Sequence, residues 1–113
     1  MIEISNTVEE NVQILKVEGD VDASSSIHLD NALAEAIEQN KNIIVDLKEL
    51  NYISSAGLGV FMSYLKELES NDLKLILSGL NDKVFHVFEI LGLDQLLTIK
   101  EDLEKARAEL NEV

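Results

Sequence analysis

The chain has 113 residues and a mass of 12.6 kDa, enough for a single domain spanning 1–113 with one core. Its 46% hydrophobic content argues against global disorder, and no apolar run approaches the roughly 20 residues that span a bilayer. The lack of cysteine excludes disulfides, thiolate metal sites and a cysteine nucleophile, and a formal charge of −13 speaks against nucleic acid and anionic membrane as partners.

The acid is unevenly placed. Residues 1–40 carry −8 (Lys16 against nine acids), 41–80 carry −1 (four bases against five acids) and 81–113 carry −4 (four against eight). Solubility alone accounts for such a surface; steering toward a basic protein partner is the sharper reading. The opening MIEISNTVEEN has neither a basic n-region nor an apolar h-region, so no signal peptide is expected and a cytoplasmic location is.

Ile2 and Ile4 alternate with polar neighbours, and VQILKV at 12–17 is rich in β-branched residues, so the two segments predict a hairpin joined by a loose polar loop, Asn6–Asn11. GDVDASSS at 19–26 is a cluster of turn and cap residues. Leu29, Leu33, Ala36 and Ile37 then mark one face of a helix over 24–40. Ile43-Ile44-Val45 is short, apolar and β-branched, which predicts a central strand buried on both faces. Leu58, Phe61, Met62, Leu65 and Leu68 predict one second helix, stopped by Asn71-Asp72. A strand over 73–79 follows, then a helix with Val84, Val87, Phe88 and Leu91 on its apolar side, ended by Gly92. A short strand near Leu97–Ile99 and a last helix with Leu103, Ala106 and Leu110 close the order β-β-α-β-α-β-α-β-α. This predicts an α/β fold: a mixed, mostly parallel sheet with an opening hairpin, covered by about four helices.

Catalytic constellations are missing one by one. His28 and His86 fall in different helices with no metal-ligand spacing, and both read as helix-surface or satisfied histidines. There is no G-x-S-x-G elbow, no P-loop and no G-x-G-x-x-G fingerprint. Asp20 and Asp22 match no calcium loop and read as loop and cap residues. No catalytic residue, metal or cofactor is expected.

Ser54-Ser55-Ala56-Gly57-Leu58-Gly59 stands apart. It leads from the central strand into the second helix, where a serine hydroxyl can cap a free backbone N–H for ~0.5–2 kcal/mol. Only one of two adjacent serines can hold that position, which leaves the other hydroxyl free. Gly57 and Gly59 each disfavour a helix by ~1 kcal/mol relative to alanine. Their missing side chains would let another protein's surface approach the serines.

This stretch resembles the signature of the STAS family, in particular the stand-alone anti-sigma factor antagonists of bacterial partner-switching systems. Val17-Glu18-Gly19-Asp20-Val21-Asp22-Ala23 is similar to the family's V-x-G-x-[IL]-D motif and Ile44-Val45-Asp46-Leu47 to its V-x-D-L strand. Tyr52 to Val60 is similar to its [DS]-S-[STA]-G-L-G-V element, and Leu77-Ser78-Gly79-Leu80 and Leu91-Gly92-Leu93 also fall where the family has them. The resemblance covers nearly the whole chain. It implies that Ser55, two residues before Gly57, accepts phosphate from a serine kinase that is also the anti-sigma factor, with Ser54 the second choice. Ser54 stands where the antagonists often carry aspartate. The kinase would hold ATP and magnesium, and a PP2C-type phosphatase would reverse the step. The implied docking face combines Asp20, Asp22 and Ser24 with Ser54, Ser55, Ala56, Gly57, Leu58 and the exposed side of the 55–70 helix. A STAS adaptor subunit of a larger transport or sensory complex, without phosphate turnover, is the alternative.

Overall fold

The computed structural model describes residues 2–111. β1 (Ile2–Val8) and β2 (Val12–Val21) form the antiparallel hairpin, in continuous register from Ile2 opposite Gly19 to Val8 opposite Gln13. The predicted loop at 6–11 is therefore too long. Asn6, Thr7 and Val8 each find a partner on β2, and the turn is only Glu9–Asn11, closed by the Glu9 N–H donating to the Val12 carbonyl at 2.8 Å. Gln13 is fully buried beneath it, and its side chain is satisfied from both sides. Its Oε1 accepts from Asn6 Nδ2 at 2.9 Å and its Nε2 donates to the Ala36 carbonyl at 2.5 Å.

α1 (Ser26–Glu38) returns the chain to β3 (Asn42–Asp46), which lies parallel to β2. Leu29, Leu33, Ala36 and Ile37 are the buried face of α1, as their spacing requires. The helix stops where Asn40 takes a left-handed conformation (φ 57°). Beyond β3 the chain makes a turn and pairs again with β2 as β4 (Leu50–Ile53). This strand is absent from the sequence-based element order.

The predicted second helix is broken into α2 (Ser55–Ser63) and α3 (Leu65–Ser70), with Tyr64 between them. At the break the Tyr64 hydroxyl donates to the Asp30 carboxylate on α1. Then come β5 (Leu75–Ser78), α4 (Asp82–Ile90), a 3-10 turn (Leu93–Gln95), β6 (Thr98–Lys100) and α5 (Leu103–Asn111). The sheet order is β1-β2-β3-β5-β6, with β4 also on β2; among the described residues only the β1–β2 pair is antiparallel. Leu91 is no part of the buried stripe of α4. It follows the last helical residue, immediately before left-handed Gly92 (φ 72°), and is 56% exposed.

Alternation along the central strands divides the interior. Ile43, Val45, Leu75 and Leu77 face the larger core with Leu29, Phe61, Leu68 and Phe88, supplied by α1 to α4. Ile44 and Ile76 face the opposite side, where Val12 and Ala106 complete a smaller core under α5. The expected central strand is thus buried on both faces, with Ile43, Ile44 and Val45 all at zero exposure. α5 is tied to the hairpin turn by a two-pronged contact of Arg107 with Glu9, at 2.8 and 2.9 Å.

Candidate functional site

The ends of β2 and β4 bring two distant sequence segments together. Asp20 pairs in register with Tyr52 and Val21 with Ile53, and the Ser54 N–H donates to the Val21 carbonyl at 2.7 Å. The register slips between Gly19 and Asp20, where Gly19 adopts φ 96°, a conformation that carries little penalty only without a side chain. Its N–H donates to the Glu49 carbonyl at 3.0 Å, which holds the bulge against the approach to β4. The turn at 22–25 therefore sits beside the start of α2.

Asp22 organises that turn. One carboxylate oxygen accepts from the Ser25 N–H at 2.8 Å, the Ser24 hydroxyl at 2.8 Å and the Ser25 hydroxyl at 2.9 Å. These donors, the Ser24 hydroxyl foremost, stabilise the charged form and pull the Asp22 pKa down to about 2. Asp22 and Ser24 are exposed and Asp20 is half-buried. Among the described residues no group of three or more histidine, cysteine or acidic side chains comes together to hold a metal. His28 and His86 are both exposed on helix surfaces.

The two serines take different roles. Ser54 is the N-cap of α2: it has extended backbone (φ −82°, ψ 169°), and its Oγ accepts from the Gly57 N–H at 3.2 Å. Ser55 is the first helical residue and is exposed, and among the described residues no hydrogen bond engages its hydroxyl. Ala56 is exposed beside it.

Gly57 and Leu58 do not lie on this surface. A side chain on Gly57 would meet Val21 Cγ1 at 2.7 Å and Ile53 Cγ1 at 2.8 Å, so this glycine admits the strands to the helix rather than a partner to the serines. Leu58 is 3% exposed and points into the larger core. Gly59 does face open space, with nothing within 4 Å of an added Cβ. Two exposed apolar side chains, missed from sequence, belong to the neighbourhood: Tyr52 (51%), across from Asp20, and Ile27 (59%), in the first turn of α1. Tyr52 could have been found only by knowing that β4 exists; Ile27 stands off the apolar spacing of its helix.

A mostly parallel sheet with an opening antiparallel hairpin, helices chiefly on one face and a serine pair at the α2 N-terminus define a STAS domain. The chain belongs to this family, matching the STAS domain over residues 3–106. It is 37% identical over 101 residues to the anti-sigma-B factor antagonist of Listeria monocytogenes, covering 88% of this chain and 87% of that one. It is 32% identical over 104 residues to the anti-sigma-B factor antagonist of Staphylococcus aureus, covering 91% and 96%. In three dimensions it resembles a protein of Thermotoga maritima assigned as an anti-sigma factor antagonist, with a TM-score of 0.87 at 22% identity over 96% of this chain and 95% of the other.

Proposed function

We propose that this chain is a cytoplasmic anti-sigma factor antagonist whose binding is switched by phosphorylation of Ser55, and that it acts by binding rather than by catalysis. The observation that carries the reading is the division of labour at the α2 N-terminus. Ser54 supplies the cap, so the exposed Ser55 hydroxyl is left to a kinase without loss of the helix start. The relatives' printed function, antagonism of an anti-sigma factor, supports the same reading. The partner would be an anti-sigma serine kinase, with a PP2C-type phosphatase resetting the switch.

Phosphate adds about −1.5 to −2 charges. At the first turn of α2 the free N–H groups and the helix dipole tolerate that charge, so the domain stays folded. A partner shaped to close over the unmodified serine would, over phosphoserine, bury an unpaired dianion, a penalty of several kcal/mol, and each 1.4 kcal/mol is tenfold in affinity. Tyr52 and Ile27 would give the docking face its apolar anchors, and Asp20, Asp22 and Ser24 its polar rim.

The test is phosphorylation by an anti-sigma kinase with ATP, read by intact mass, on wild type, Ser54→Ala and Ser55→Ala. One phosphate on wild type and on Ser54→Ala, and none on Ser55→Ala, is expected. Phosphate that survives Ser55→Ala but vanishes in Ser54→Ala would move the site by one residue. An unmodified wild type with every such kinase of its own cell would overturn the switch in favour of an adaptor role.

A further inference from the structure

One edge of the sheet is left open. β1 pairs with β2 through all seven of its residues, and among the described residues no strand lies on its other side. Sheet edges are usually blunted by lysine, proline, a bulge or shortness. β6, the other edge, has three residues; β1 has seven, an unbroken register, no proline and one charge, Glu3. Beside it, on the helix-covered face, runs an open groove of ≈ 470 Å³. Ile2, Ile4 and Asn6 form its strand side; His28, Ala32 and Glu35 form its wall on α1. Val8, on the same face of β1 as these strand residues, is 49% exposed.

We propose that this edge is the interface between two copies of the chain, joined by antiparallel pairing of β1 with β1 about a two-fold axis at Ser5. In that register Glu3 lies opposite Thr7, Ile4 opposite Asn6 and Ile2 opposite Val8. All seven residues are used, and the one charged position never meets itself. Val8 of one copy then covers Ile2 at the mouth of the other's groove. The same axis sets the two α1 helices antiparallel and turns the His28 end of one wall toward the Glu35 end of the other. β1 thus supplies the apolar side chains at alternate positions that its own groove accepts. The opposing effect is the charge of −13 on each copy, so association should strengthen as salt rises. Encounter with a basic partner would respond to salt in the opposite direction.

The experiment is sedimentation equilibrium on the full chain from micromolar to millimolar concentration, at low and high salt. A monomer–dimer equilibrium shifting toward dimer with salt is expected. Ser5→Lys and Ser5→Glu change an exposed residue, so circular dichroism should report an intact fold in both. Each puts like charges directly across the axis and should weaken association roughly tenfold or more. Mixing the two sets opposite charges across the axis and should restore the dimer as a heterodimer. A wild type that stays monomeric throughout overturns the proposal, and so does a dimer that both variants leave unchanged. Weakening without restoration in the mixture overturns the Ser5-centred register.

Discussion

Gly57 and Gly59 stand two residues apart in one helix and answer to different constraints. An alanine at 57 drives its Cβ to 2.7 Å from Val21 Cγ1 and 2.8 Å from Ile53 Cγ1, in a packed interior. Gly57→Ala should destabilise by about 1–3 kcal/mol, from the overpacking that follows. Gly59→Ala meets open space, and should stabilise by roughly 0.5–1 kcal/mol through the helix propensity it restores. Urea denaturation of the two variants checks the pair, and equal shifts would remove the distinction. The serines divide in the same way. Ser54→Ala should lower stability by ~0.5–2 kcal/mol as a lost cap, whereas Ser55→Ala, outside the cap, should leave the urea midpoint nearly unmoved. Asp22 adds a pH dependence. Its carboxylate is held ionised, so its stabilising contribution is complete above the ordinary aspartate range near pH 3.8 and is lost as pH falls toward about 2. Carboxyl chemical shifts followed through acid should show Asp22 titrating below the ordinary aspartate range.

Among the elements, the interrupted helix fixes the far end of α2, the helix that Ser55 opens. α2 and α3 meet at Tyr64, whose hydroxyl donates to Asp30 on α1, and that contact ties the far end of α2 to the helix that follows the Asp22 turn. The bond to Asp30 favours the neutral phenol and pushes the Tyr64 pKa up to about 12. The sign is that of a raised pKa: the contribution is present below the ordinary tyrosine value near 10 and disappears as pH rises through about 12. Tyr64→Phe should therefore remove a pH-dependent loss of stability that wild type shows across that alkaline window. Thermal melts of both proteins from pH 9 to pH 12 would show it. β3 offers a blunter check. Val45 has zero exposure at the centre of the sheet, so Val45→Asp should cost several kcal/mol, and an unchanged melt would contradict the strand's position.

Over the molecule as a whole, stability is unequal on the two faces of the sheet. The larger core draws on α1 to α4, while among the described residues α5 is the one helix on the other side, above Val12, Ile44 and Ile76. The anchoring ion pairs of α5, Arg107 with Glu9 and Lys100 with Glu109, are all about one-third or more exposed, and contacts of that kind contribute modestly. Packing of Leu103, Ala106 and Leu110 must therefore carry much of the attachment. Ala106→Asp, at a position of zero exposure, should release α5 and uncover Ile44 and Ile76, with a lowered melt and increased binding of a hydrophobic dye. A variant that melts like wild type would show that α5 is held by its charges instead.

Much of the architecture follows from local periodicity. The stripes of α1, α2 and α4 and the apolar run of β3 each bury one set of side chains whatever lies opposite, so their spacing is visible in the chain itself. The turn residues Asn40 and Asp72 end helices by adopting left-handed backbone, a property of those residue types. The serine pair at the α2 N-terminus was legible for the same reason, since capping is local chemistry. Three features were decided only by the tertiary structure. β4 was hidden because Leu50-Asn51-Tyr52-Ile53 lacks alternation, and its partner, Gly19-Asp20-Val21, reads as a turn until a bulge lets it extend β2. The division of Ser54 from Ser55 depended on which hydroxyl reached the Gly57 N–H, a matter of backbone angle. Gly57 looked like an opening to a partner and proved to be a close approach within the core, because Val21 and Ile53 come to it from strands whose pairing leaves no periodic trace in sequence.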